Sequence, residues 1–220
     1  MKLRNFLLFG MTPVLLLLTI VSCSMDTNVI PLVEELGGRN GQHFTDPPED
    51  TFGMESFQYD ILSVDMFIDE TDSYFIMHIT FNNTVHAPNN GFDMEGLVGY
   101  LEIDADQDPQ TGSEPSVNVF APVGETLSDM GVDYSIQFFE YDDLFRTLPI
   151  YESEFWTLMG YAYIIYAETS CTLQIPLSAL PDTEGFDNDG NIDFGFVLGT
   201  FPEPTDVAHL GYSYSAGLIY

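Results

Sequence analysis

Between Tyr74 and Phe81 the chain alternates strictly, with Phe75, Met77, Ile79 and Phe81 at one parity and Tyr74, Ile76, His78 and Thr80 at the other. A period of two suits a β-strand with one strongly apolar face; a helix would bring its apolar residues back every three or four positions. Similar runs recur at 58–68, 97–103, 132–141, 158–167, 169–175 and 192–201, and Gly, Pro, Asn and Asp fill gaps such as 82–91 and 106–116. No stretch carries the period of a long amphipathic helix, and residues 177–180, just after Pro176, have room for one helical turn. Seven to ten strands joined in this way predict an all-β fold, an antiparallel jelly-roll-like β-sandwich. Hydrophobic residues make up 45% of the chain, with 18 Phe and 12 Tyr, which is enough for one sizeable core.

Ahead of this pattern lies a different kind of segment. Lys2 and Arg4 give a short positive start, an apolar run spans Phe6 to Val21, and Ile20-Val21-Ser22-Cys23 follows. The layout is that of a secretory signal, and the run is short and interrupted by Pro13, which suits a membrane span poorly. The last four residues resemble the lipobox of bacterial lipoproteins. That resemblance implies a signal peptide at 1–22, cleavage before Cys23 and acylation of that cysteine. Residues 23–51 lack a sustained apolar period and contain Gly37-Gly38 and Asp46-Pro47-Pro48-Glu49-Asp50, so they read as a flexible acidic tether. The sandwich is expected over 52–220.

Cleavage there would leave 198 residues in which Arg39 and Arg146 face 35 Asp and Glu, a formal charge of −33 with no lysine. Self-repulsion on that scale weakens a compact state unless cations screen or bind the carboxylates. Nucleic acid is excluded as a partner, because phosphate binding needs Lys and Arg clusters. An anionic membrane surface would also repel the chain, so attachment to the membrane has to come from the lipid on Cys23, at the cell envelope. Ser24 directly after the cysteine suggests the outer membrane or cell surface in a diderm bacterium. With Cys23 acylated, Cys171 is left alone, which rules out a disulfide within one chain; its apolar alternation marks a small buried residue.

Two acidic loops are candidates for cation binding. Ile103-Asp104-Ala105-Asp106-Gln107-Asp108-Pro109 sets three aspartates at alternate positions at a strand end, and a turn can converge them on one ion. Calcium favours such clusters because it takes six to eight oxygens in loose geometry. A solvated Asp- and Pro-rich turn is the other reading. The second loop, Asp187-Asn188-Asp189-Gly190-Asn191-Ile192-Asp193, matches the middle of an EF-hand loop, but Gly185 and Phe196 stand where the first and last ligands belong. Asp187, Asp189, Asn191 and Asp193 therefore read either as a weaker calcium site or as a turn feeding the next strand.

Trp156, Tyr161, Tyr163 and Tyr166 cluster in one segment, as do Tyr212, Tyr214 and Tyr220 in another. Exposed rings of this kind stack on sugars, and buried ones fill sheet faces; Trp156, Tyr161 and Tyr163 are the candidate ligand platform. His43, His78, His86 and His209 lack zinc spacing. A nucleophile elbow, a phosphate loop and a dinucleotide fingerprint are all missing from the sequence.

Several pieces occur together in a telling order: Gly99-Tyr100-Leu101-Glu102-Ile103-Asp104-Ala105-Asp106-Gln107-Asp108, then Gly131-Val132-Asp133-Tyr134, then Ile175-Pro176-Leu177-Ser178-Ala179-Leu180, then Pro204-Thr205-Asp206. This order resembles the DOMON and family-nine carbohydrate-binding superfamily of extracellular β-sandwiches. The resemblance spans about half the chain. It implies a jelly-roll-like sandwich, often calcium-stabilised, that binds sugar or a cofactor without catalysis, with Asp104, Asp106, Asp108 and Asp133 around the cation. The chain departs from haem-binding relatives in lacking an assignable Met and His pair, and from sugar-binding relatives in having Trp156 alone rather than two tryptophans. The expectation is a lipid-anchored, calcium-stabilised module that binds a polysaccharide or a surface protein. Rival expectations are a glycan hydrolase with paired carboxylates in a cleft and a structural subunit of a surface assembly.

Overall fold

The computed structural model describes residues 42–46, 48, 51, 58–69, 74–88, 94–120, 124–181, 191–201, 204–206 and 216–217. Cys23 and the signal at 1–22 lie outside the described residues, as do most of the tether, Asp187, Asp189 and the Asn191 side chain. Eleven strands form among the described residues: β1 (Gln42–Thr45), β2 (Ile61–Asp69), β3 (Tyr74–Phe81), β4 (Val98–Asp104), β5 (Tyr134–Gln137), β6 (Thr147–Glu152), β7 (Thr157–Tyr166), β8 (Ser170–Pro176), β9 (Asn191–Gly199), β10 (Pro204–Asp206) and β11 (Ala216–Gly217). They pair antiparallel in the order β1-β2-β3-β8-β7-β6-β5-β4-β9-β10, and β11 pairs with the start of β9. The protein is all-β, and the 3-10 turn Leu177–Ala179 occupies the place where a single helical turn is expected.

The alternation explains how the sheet curls. Phe75, Met77 and Ile79 of β3, Leu173 and Ile175 of β8, Ile164 of β7, Ile150 of β6, Ile136 of β5, Leu101 of β4 and Phe196 of β9 all enter one buried core. One face of the sheet therefore points inward along its whole width. Fully burying each such side chain contributes roughly 1.5–3 kcal/mol. The sheet's two ends meet across this core. Phe44 of β1 packs edge-on against Phe194 of β9, ring centroids 5.5 Å apart. The Ile61 N–H, at the start of β2, donates to the buried Asp206 carboxylate of β10 at 2.6 Å. Asp206 belongs to the late Thr-Asp pair of the sequence pattern, and here it fastens the seam of the curled sheet.

Several elements differ from the sequence expectation. The run at 132–141 yields only β5 as strand, and Phe138–Glu140 turn off it as a 3-10 turn. Strand β6 carries Pro149 and has no counterpart among the expected strands. Its ladder to β5 ends at Ile136–Ile150, so the missing N–H of Pro149 falls just where β5 turns away. In addition, β1 joins the sheet from within the segment read as tether, pairing with residues 63–66 of β2.

The strand directions gather one set of loops at one end of the sheet. Asp104 closes β4 and stands opposite Asp193 near the start of β9. Tyr134, at the start of β5, pairs with Ile103 and with Glu152 at the end of β6, and Glu152 pairs with Thr157 at the start of β7.

Candidate metal centre

At that end the chain leaves β4 through a wound acidic loop. Asp106 Oδ1 accepts the Asp108 N–H at 2.9 Å and the Thr111 hydroxyl at 3.1 Å, and Asp108 Oδ1 accepts the Gln110 N–H at 3.0 Å. Such side-chain acceptors two residues back along the chain are what Asp supplies to tight turns. Gln107 takes a left-handed φ of 56° within the turn. The loop lies directly on the segment preceding β5. A Cβ at Gly131 would collide with the Thr111 and Asp108 carbonyl oxygens, and one at Gly112 would collide with the Val132 backbone. These two glycines let the loop and the β5 entry approach at backbone distance.

That approach brings carboxylates from both segments together. Asp104, Asp106 and Asp133 each place an oxygen within 4.8 Å of the other two. Asp133 Oδ2 accepts the Ala105 N–H at 2.8 Å and, more loosely, the Asp106 N–H at 3.4 Å, which anchors it to the loop. Asp104 is 1% exposed. Its Oδ2 accepts the Gly131 N–H at 3.1 Å, while its Oδ1 is buried without a hydrogen-bond partner. Burial pushes the Asp104 carboxyl up to about 7; the charges of Asp133 and Asp193 add to this, and the backbone N–H groups of Gly131 and Gln107 oppose it. A buried, half-satisfied carboxylate among other carboxylates is costly unless a cation or a proton compensates it. Arg146 is the only Lys or Arg among the described residues, and it precedes the opposite end of β6. The arrangement can thus hold a metal ion through three carboxylates, one of them buried.

The remaining acidic candidates divide. Asp108 is exposed, turns its Oδ1 to Gln110 and lies outside the group of three. Asp187 and Asp189, the loop partners the sequence gives Asp193, lie outside the described residues. The Asp193 carboxylate, raised chiefly by burial and further by Asp129, accepts the Gln107 amide at 2.9 Å and so braces the first loop. Glu102, which the sequence does not single out, is buried on β4, where it accepts the Ser116 N–H and hydroxyl; burial raises its carboxyl and those bonds oppose the rise. It caps the entry to the 3-10 turn Ser116–Phe120.

The aromatic candidates occupy the neighbouring hairpin. Tyr161 and Tyr163 project from the outer face of β7, 50% and 47% exposed, and Trp156 sits in the β6–β7 turn at 59% exposure with φ 54°. Tyr166 has the other parity and turns inward, packing against Tyr141 at 5.5 Å with its hydroxyl buried. Half-buried Tyr151 of β6 lies beside Trp156: the two rings are 5.7 Å apart, and the Tyr151 hydroxyl donates to Glu140 at 2.9 Å. Cys171 is fully buried, which pushes its thiol far above the ordinary range and leaves it inert. No protein-family model matches the chain, and no curated protein matches it.

Proposed function

We propose that this chain is a lipid-anchored, extracytoplasmic β-sandwich module, held in shape by calcium, that binds a polysaccharide without catalysis. The observation that carries the reading is the convergence of Asp104, Asp106 and Asp133, together with the buried Asp104 Oδ1 that has no hydrogen-bond partner. Calcium is the ion that this donor set favours, because three hard carboxylate oxygens leave room for carbonyls and water in a loose shell of six to eight. Magnesium demands a tighter octahedron and gives up its water reluctantly. The ligand surface is the outer strip of Tyr151, Trp156, Tyr161 and Tyr163, rings that can stack on sugar faces while the Glu140 carboxylate accepts hydroxyl protons. Acylation of Cys23 would tether the module to the envelope.

Thermal unfolding in calcium, magnesium and chelator, at one ionic strength, tests the metal half of the reading. A calcium-specific rise in Tm, removed by Asp106→Ala, supports it through mass-action stabilisation. Equal Tm in the three solutions would mean that the loop is a solvated turn. Retardation in gels cast with neutral glucan, xylan or mannan tests the ligand half, with Trp156→Ala as the control.

A further inference from the structure

Ser153 is the joint between the acidic loop and the aromatic strip. It is buried, 6% exposed, and it opens the turn that displays Phe155 and Trp156, 74% and 59% exposed. Both of its backbone polar groups are held by the walls of the metal centre. Its N–H donates to the carbonyl of Asp133 at 2.8 Å, and its carbonyl accepts the Ser113 hydroxyl at 3.0 Å. Ser113 closes the acidic loop and is tied to Val132, next to Asp133, by a reciprocal pair of backbone bonds at 2.8 and 2.9 Å. From Ser153 onward the turn is stiff, because Glu152 accepts the N–H groups of Glu154 and Phe155 at 2.9 and 3.0 Å. Trp156 then adopts a left-handed φ of 54° that its side chain does not itself favour. Its conformation is therefore imposed by the turn.

We propose that occupancy of the Asp104–Asp106–Asp133 centre sets the Phe155–Trp156 turn, so that sugar binding at the Tyr151–Trp156–Tyr161 strip depends on calcium. The inference rests on the function proposed above. The metal centre itself stands on more than clustered acids, since Asp104, one of its three carboxylates, has a buried Oδ1 with no hydrogen-bond partner. Drawing Asp133 toward an ion moves its carbonyl, which holds Ser153, and tightening the loop moves Ser113, which holds the same residue from the other side. Linkage makes the effect reciprocal: a bound sugar raises calcium affinity by the factor by which calcium raises sugar affinity.

Trp156 is the only tryptophan in the chain, so its emission and its acrylamide quenching report on this turn alone. The full chain is titrated with calcium at fixed ionic strength, by fluorescence and by calorimetry together. Retention in neutral glucan, xylan and mannan gels is then measured in calcium and in chelator. The expected result is a change in Trp156 quenching with the calorimetric midpoint, absent in Asp106→Ala, and sugar retention at least about fivefold stronger in calcium. Ser113→Ala should keep the calorimetric binding and lose most of the Trp156 response. Calcium heat with an unmoved Trp156 and equal retention in the two solutions would overturn the coupling and leave the metal centre standing. A Trp156 response without retention on any gel would uphold the coupled turn and sink the sugar reading. No calcium heat would overturn both.

Discussion

Replacing Asp104 by Asn should change the sign of its effect with the solution. The Asp104 carboxyl sits at about 7 against an ordinary value of 3.8. Between those two values the folded chain binds more protons than the unfolded chain, so stability is fully present below the ordinary value and is lost as pH rises to about 7. At 1.36 kcal/mol per pKa unit, the charged form costs on the order of 4 kcal/mol at pH 8 when no cation is present. Asn keeps the shape and an oxygen for the Gly131 N–H, and its amide can donate toward the neighbouring carboxylates. In chelator at pH 8, Asp104→Asn should therefore be more stable than the parent by about 2–4 kcal/mol. Since 1 kcal/mol shifts Tm by roughly 2–4 °C in a domain of this size, Tm should rise by about 5–12 °C. At pH 5 the gain should shrink, because the parent carboxyl is then protonated. In saturating calcium at pH 8 the order should reverse, since the variant has lost an anionic ligand. Circular dichroism melts under these three conditions decide the matter. A variant that is less stable than the parent in chelator at pH 8 would refute the reasoning and make the Asp104 charge an asset without any ion.

Three further outcomes follow from the same geometry. Gly131→Ala forces a Cβ into the Thr111 and Asp108 carbonyls, so urea unfolding should show a loss of about 1–3 kcal/mol, with weakened calcium binding by calorimetry. Asp206→Ala removes the acceptor of the buried Ile61 N–H and should cost about 1–3 kcal/mol by urea unfolding, with calcium affinity little changed because Asp206 pairs with Leu198, opposite Gly99 at the far end of β4 from Asp104. Trp156→Ala removes an exposed ring, so stability should stay within about 0.5 kcal/mol of the parent while retention on neutral polysaccharide gels falls.

Much of the fold was legible because period-two alternation marks both strand and face. Strand β3 carries the bounds that its alternation implies, and parity alone separates outward Tyr161 and Tyr163 from inward Tyr166. Strand β6 escaped notice because Pro149 argues against a strand, and its tolerance depends on where β5 ends, a tertiary matter. With β6 went Tyr151, the ring that packs on Trp156. At the candidate metal centre, Asp104 and Asp106 were readable from their spacing, whereas Asp133 lies far along the chain and only the order of motifs suggested it. The glycines that let the two segments touch explain how Asp133 reaches Asp104 and Asp106, while Asp108 turns its Oδ1 to the Gln110 N–H instead. Asp193 reads from the sequence as part of a second loop whose Asp187 and Asp189 lie outside the described residues, and strand pairing also sets it opposite Asp104. Local spacing cannot encode that register.

The most direct test is a crystal grown in calcium, with anomalous data collected to locate the ion. The account predicts one strong peak about 2.3–2.6 Å from carboxylate oxygens of Asp104, Asp106 and Asp133, with the Asp104 Oδ1 among its ligands. Density there that is only water, with the Asp104 Oδ1 hydrogen-bonded to it and no anomalous signal, would contradict the account.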